Sequence, residues 1–281
     1  MLLQLLFVLV AIIIGARVGG IGLGILGGLG LAVLTFVFGL QPTAPPIDVM
    51  LMIVAVIAAA SCMQAAGGLD LMVKWAEKIL RKNPHHITLL SPFVTYFFTF
   101  FAGTGHVAYS VLPVIAEVAK DTGIRPERPL GIAVIASQQA ITASPISAAT
   151  VAMLSMLAGY NISLFDILKI SIPCTLAGVL LGALYSMKVG KELKDDPEYQ
   201  RRLATGEISG DGYHTTEVAS HGKALTSVIL FLAATIGIVL FGSIDGLRPT
   251  FTTAQGEVQM EMSHIIEVLM LSAASLILLF T

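Results

Sequence analysis

Two interruptions in apolar sequence hold the residues best suited to bind an anion. Gly103-Thr104-Gly105-His106 splits the charge-free stretch 83–116. Thr142-Ala143-Ser144-Pro145-Ile146-Ser147 splits the stretch 129–165. Serine followed by proline is a good helix start, with Ser144 as N-cap and Pro145 as the first helical residue. A half-helix over 145–159 would then present free N–H groups and a positive dipole end at mid-membrane. Thr104 or Gly105 can open a second helix in the same way. Two helix N-termini meeting there suit a carboxylate. The helices that end near Ala102 and Ile141 offer carbonyl oxygens to a cation or to water. The competing reading is a proline kink and a glycine turn satisfied by neighbouring helices.

His106 falls at the tip of the first interruption. An ionisable side chain at membrane depth is a functional candidate, able to donate a hydrogen bond to a substrate or to carry a proton. The alternative is a neutral histidine that ties the tip to a carbonyl. Gln138 and Gln139 lie one turn before the second interruption, where their amides could donate to an anion or to a neighbouring helix. Glu117 reads as an ion-paired or snorkelling residue, and Glu267 as a deeper one. Gly22-x-Gly24-x-x-Gly27 has the form of a dinucleotide fingerprint but sits in an apolar run with no preceding strand. Gly15/Gly19, Gly20/Gly24 and Gly24/Gly28 fit close helix packing instead, against a neighbouring helix or a second subunit in a homodimer. No His-Glu-x-x-His motif and no nucleophile–base set occurs, so neither an enzyme nor a metal site is indicated.

The elements that must position these residues follow from composition. Of 281 residues, 56% are hydrophobic and only 12% charged, against about 25% charged in soluble domains. Mean hydropathy is +0.87. A net charge of −2 leaves no basic field for nucleic acid. The chain reads as an all-α polytopic protein of the lipid bilayer. A crossing needs about 20 apolar residues, and 49–69, 170–187 and 224–244 each supply one. Residues 1–16 and 18–47 add crossings, and a last helix begins near Met262. Stretch 83–116 is too long for one span and too short for two. It suits a re-entrant hairpin over 87–119, with arms near Ile87–Ala102 and Val107–Ala119. The stretch from 129 suits one crossing, a helix over 129–160 broken near its middle.

Charge supports the hairpin. If 49–69 ends inside, an amphipathic segment with Lys74, Lys78, Arg81 and Lys82 lies on the cytoplasmic face. The hairpin then returns Lys120, Arg125 and Arg128 to it, and only Lys169 and Arg248 of the basic residues fall outside. The positive-inside rule prefers this orientation, with a periplasmic N-terminus. Residues 1–188 form a first transmembrane repeat. Residues 189–222 read as a solvated cytoplasmic linker, and 223–281 as two helices of an incomplete, inverted second repeat. That is the plan of many secondary transporters, and the chain reads as the N-terminal portion of one.

Several motifs carry a resemblance in chain order: Gly15-Ala-Arg17-x-Gly19-Gly20, Gln64-Ala-x-Gly67-Gly68-Leu69-Asp70, Glu77-Lys-x-Leu80-Arg81, Gly103-Thr104-Gly105-His106, Arg125-Pro126-Glu127-Arg128-Pro129 and Ala143-Ser144-Pro145. Together they resemble the anaerobic C4-dicarboxylate transporter (Dcu) family, nearest its fumarate/succinate exchanger branch. The resemblance implies a bacterial inner-membrane protein that exchanges or takes up fumarate, succinate, malate and aspartate. It implies the fold of an ion-transporter superfamily in which two inverted repeats each supply a hairpin tip and a broken helix. By that plan Gly103, Thr104, Gly105 and His106 form one half of the substrate site, with Ser144, Pro145 and Ser147 nearby. Family members continue beyond residue 281, where a second hairpin and broken helix would lie. No cofactor is implied; protons or sodium are the candidate coupling ions. A cation antiporter or another organic-anion transporter of the same superfamily is the alternative.

Overall fold

The computed structural model describes residues 2–19, 21–157, 160, 162–205, 221–253 and 256–281, with the backbone alone for His106, Asp245 and Thr253. The chain divides into two units, Met1–Ile47 and Asp48–Thr281.

The first unit pairs α1 (Leu2–Val18) with α2 (Gly22–Phe36). They pack closely at Gly15, where a β-carbon would lie 2.8 Å from Leu23 Cδ1 and 3.0 Å from Leu23 Cα, and at Gly22, where one would collide with Val18 Cγ1. Of the expected glycine pairs, only Gly15 packs in this way, and Gly19 meets nothing within 4 Å among the described residues. Gly24, Gly27 and Gly28 face open space among the described residues, and Gly20 lies outside them. The fingerprint-like glycines are within or at the start of α2. At 17 and 15 residues, both helices are shorter than the expected crossings. Gly39, with φ of 67°, follows α2 and turns its N–H back to the Thr35 carbonyl at 3.1 Å, a left-handed helix stop.

The second unit runs through α3 (Ile47–Ala65), α4 (Gly68–Lys82), α5 (Ile87–Ala102), α6 (His106–Asp121), α7 (Glu127–Ala143), α8 (Ala148–Leu157), α9 (Leu164–Ser186), α10 (Pro197–Ala204), α11 (His221–Ser243), the strands β1 (Thr250–Thr253) and β2 (Gly256–Gln259), and α12 (Met262–Phe280). Among the described residues, five helices are long and apolar enough to cross a membrane: α3, the α7–α8 pair, α9, α11 and α12.

Local chemistry explains the joints. Gly67, at φ of 80°, turns α3 into the amphipathic α4. Ser163 and Asp166 form a reciprocal capping box at the start of α9. Along α7, Ala133, Ala136, Ala140 and Ala143 are buried at helical spacing. Small side chains there let α5 pack close, as apolar helices need when no water drives them together. On another side of α7, Ile132 fills the space over Gly182 of α9, where a β-carbon would come within 2.7 Å of it.

Both arms of the α5–α6 hairpin have 16 residues, about 24 Å of helix. That is less than a roughly 30 Å hydrocarbon core. Their outer ends return to one place. Arg81, near the end of α4, pairs with Glu117 at 3.0 Å and approaches Asp121 at 3.9 Å, both on α6. The expected ion pair of Glu117 is thus present.

The segment after α9 departs from the expected solvated linker. Arg125 pairs with Asp196 at 2.7 Å, and Arg128 with Glu192 at 2.6 Å and the Gly190 carbonyl at 2.7 Å. Leu193 is buried. Residues 189–205 are therefore tied to the start of α7, because two arginines there find acids and carbonyls in the segment. Asp196 caps α10, accepting the N–H of Glu198 at 3.0 Å. The rest of the expected linker, 206–220, lies outside the described residues. A second departure is the antiparallel pair between α11 and α12, with Phe251 opposite Val258 and Thr252 opposite Glu257.

Candidate functional site at the hairpin tip and helix break

The hairpin tip and the break meet. Gly103 ends α5 in the left-handed conformation, φ of 69°, with its N–H on the Thr99 carbonyl at 2.9 Å. A β-carbon on it would lie 2.7 Å from Ile146 Cγ1 and 3.3 Å from the Ile146 carbonyl. Only glycine gives both this turn and this approach. Gly105, the residue before α6, faces α7 instead. A β-carbon there would lie 3.4 Å from Gln138 Nε2 and 3.7 Å from Ser137 Oγ. One turn below, the Thr99 hydroxyl donates to Ser137 Oγ at 3.3 Å, both side chains being buried.

The break has its own structure, and it corrects the expected helix start. Ser144 is extended, with ψ of 133°, as a residue before proline prefers. Its hydroxyl accepts the Ile146 N–H at 3.4 Å, a serine turn rather than a helix cap. The second half-helix opens three residues later than expected. Ser147 Oγ accepts the Thr150 N–H at 3.2 Å and donates to Thr150 Oγ1 at 3.1 Å. Thr150 Oγ1 donates onward to the Thr142 carbonyl at 3.3 Å. Two hydroxyls thus join the last turn of α7 to the first turn of α8. The carbonyls expected to be free are engaged: Ile141 accepts from the Ser144 N–H at 3.3 Å, and Thr142 from Thr150.

The residues singled out from sequence therefore divide. Gly103, Ser144, Pro145 and Ser147 are buried in the seam between tip and break; Thr104 and Gly105 are half-buried; Gln138 and Gln139 are exposed. Gln138 joins the tip through Gly105, whereas no close approach to the tip is seen for Gln139. His106 opens α6, and the placement expected for its side chain lies outside the described residues. Thr99, Ser137, Ile146 and Thr150 were missed. A signal existed for the first: Thr88, Ser91, Thr95 and Thr99 recur on one face of an otherwise apolar helix. Ser91 donates to the Pro129 carbonyl at 3.2 Å. Thr95 Oγ1 is buried without a hydrogen-bond partner among the described residues.

A cavity of about 540 Å³ lies elsewhere, among the starts of α3, α9 and α12 and the end of α8, lined by Asp48, Arg248 and Glu261. It contains none of the expected site residues.

Comparison with known proteins names the family. Residues 1–281 match the family model described as anaerobic c4-dicarboxylate membrane transporter. The chain belongs to this family. It is 47% identical over 277 residues to the C4-dicarboxylate transporter DcuA of Escherichia coli, covering 98% of this chain and 63% of that one. It is 42% identical over 288 residues to the anaerobic C4-dicarboxylate transporter DcuB of Escherichia coli, covering 99% and 64%. The DcuA of Wolinella succinogenes is 49% identical over 240 residues, covering 85% and 55%. The chain spans less than two thirds of the length of these relatives. No solved structure matches. The family is one of multi-pass membrane transporters rather than enzymes, which agrees with the all-α architecture and its apolar helices.

Proposed function

We propose that the chain carries one half of the binding site of a C4-dicarboxylate transporter, made from Gly103, Thr104, Gly105 and His106 at the tip and Ser144, Pro145 and Ser147 at the break. Gln138 and Gln139 flank it. The observation that supports this most directly is the seating of the Gly103 backbone on Ile146, which brings the tip and break together. Helix α6 begins three residues after Gly103 and α8 two residues after Ile146, and helix N-termini favour carboxylates. The substrates are fumarate, succinate, malate and aspartate.

The mode is fumarate/succinate antiport by alternating access. Exchange of equal charges needs no cation, whereas net uptake needs protons or sodium, because each charge moved costs roughly 2.3 kcal/mol per 100 mV. The hairpin is re-entrant from the cytoplasmic face of a bacterial inner membrane, and the N-terminus is periplasmic. Support comes from the convergence of Arg81, Glu117, Arg125 and Asp196 at one end of the second unit. The architecture is that of inverted repeats, with residues 1–188 as the first and 223–281 opening the second. A homodimer would use the open glycine face of α2.

The test is labelled fumarate uptake into proteoliposomes loaded with succinate. Uptake should require internal succinate. Uptake indifferent to it would remove antiport, and absence of dicarboxylate flux would remove the substrate assignment. His106→Asn should alter affinity or its pH dependence; no change in either would take His106 out of the site.

A further inference from the structure

A second site, unrelated to the tip and break, lies along the outer side of the hairpin. An apolar groove of about 430 Å³ is walled by Trp75 and Ile79 of α4, Phe97 and Phe101 of α5, and Val228 and Leu232 of α11. Its lining is almost wholly hydrocarbon, and Phe97 is 58% exposed, Ile79 44% and Trp75 36%. From Phe93 to Phe101 the groove follows α5 for eight residues, about 12 Å. It starts at the amphipathic helix and runs toward mid-depth, the path of an acyl chain.

Charge decides which lipid. Trp75, Lys78, Ile79 and Lys82 stand at i, i+3, i+4 and i+7, so they share one face of α4. The two lysines therefore sit beside the mouth of the groove. Arg81, on another face, is engaged by Glu77, Glu117 and Asp121. Lys78 and Lys82 are exposed and have no acidic partner among the described residues. A tryptophan beside two unpaired ammonium groups at the end of a hydrocarbon groove complements a lipid with a negative headgroup.

We propose that this groove binds an anionic phospholipid, one acyl chain against Phe97 and Phe101 and the headgroup phosphate against Lys78 and Lys82. The bound lipid packs against the first hairpin arm, so it supports the element that carries the tip.

Trp75 is the only tryptophan among residues 1–281 and, with any tryptophan outside them replaced by phenylalanine, reports on the groove directly. The protein is reconstituted in phosphatidylcholine vesicles containing increasing fractions of dibrominated phosphatidylglycerol or dibrominated phosphatidylcholine. Quenching of Trp75 fluorescence gives relative affinity at the groove. Phosphatidylglycerol should be preferred by at least about five-fold, the attraction of one basic side chain near an anionic surface. The K78Q/K82Q double variant should level the two lipids, and K78Q alone should fall between. Equal quenching by both lipids in the native protein would overturn the proposal, as would a preference that survives in the double variant. Absence of quenching by either lipid, as when another protein segment covers the groove, would overturn it too.

Discussion

Gly103 rests its backbone on the side chain of Ile146, close enough that a single methyl group would collide at 2.7 Å. The contact joins residues 43 positions apart, one from the hairpin and one from the broken helix. Gly103→Ala should therefore act twice. A left-handed non-glycine residue costs roughly 1 kcal/mol, and overpacking adds about 1–3 kcal/mol. The expected result is a lower thermal unfolding midpoint in detergent and at least ten-fold weaker substrate binding. Gly105→Ala, with its nearest neighbour at 3.4 Å, should leave the midpoint within a degree or two while changing affinity.

The two serines of the break should separate by stability. Ser147→Ala removes the hydroxyl that caps α8 and should cost about 1 kcal/mol, with Ser147→Asp restoring most of it. Ser144→Ala removes a longer turn bond and should cost less. Equal losses, read from denaturant unfolding, would return the helix start to Pro145.

Thr99 and Ser137 should be coupled. Thr99→Val and Ser137→Ala each strand a buried hydroxyl partner, whereas the double variant strands none. A double-mutant cycle on unfolding free energy should give a coupling near 0.5–1 kcal/mol. Simple additivity would mean that the two hydroxyls act independently.

Acid should loosen the segment that follows α9. The N–H groups of Tyr199 and Glu198, with Arg125, hold the Asp196 carboxyl below its ordinary range. Arg201 and Arg202 hold Glu198 down, from 4.5 to about 2. A carboxyl depressed in the folded state stabilises it fully above the unfolded value and loses that contribution as pH falls through the folded one. For Glu198 the loss should run from about pH 4.5 to about 2. Protease sensitivity of residues 197–204 should rise over that window and be unchanged between pH 6 and 8.

Sidedness has a direct assay. In a background without Cys62 and Cys174, cysteines at Lys82 and Glu127 should react with an impermeant maleimide from the same face of sealed vesicles. A cysteine at Thr252, in the exposed β1, should react from the other. Labelling of Lys82→Cys and Glu127→Cys from opposite faces would refute the re-entrant hairpin.

Much of this was legible from residue order. Gly103-Thr104-Gly105 breaks an apolar helix whatever surrounds it, so the arm over Ile87–Ala102 emerged with its observed bounds. Ser144-Pro145 was ambiguous because the same pair begins a helix or makes a turn. The choice fell to Ser147 and Thr150, whose hydroxyls bridge the two half-helices. The strands Thr250–Thr253 and Gly256–Gln259 and the short α10 were overlooked beside the stronger apolar signals, although Asp196-Pro197 is itself a cap followed by a first-turn proline. The seating of the tip on the break was not legible at all. It depends on which face α5 turns to α7, where Tyr96 packs with Ala136, Ala140 and Ala143 while Ser91 and Thr99 bond to the Pro129 carbonyl and Ser137.

The Arg81 ion pairs have a mechanical meaning. They fasten the outer end of the hairpin's second arm to an amphipathic helix, so a tilt of α6 pulls on α4. Through one guanidinium group, α4 and the end of the second arm are held as a single lever.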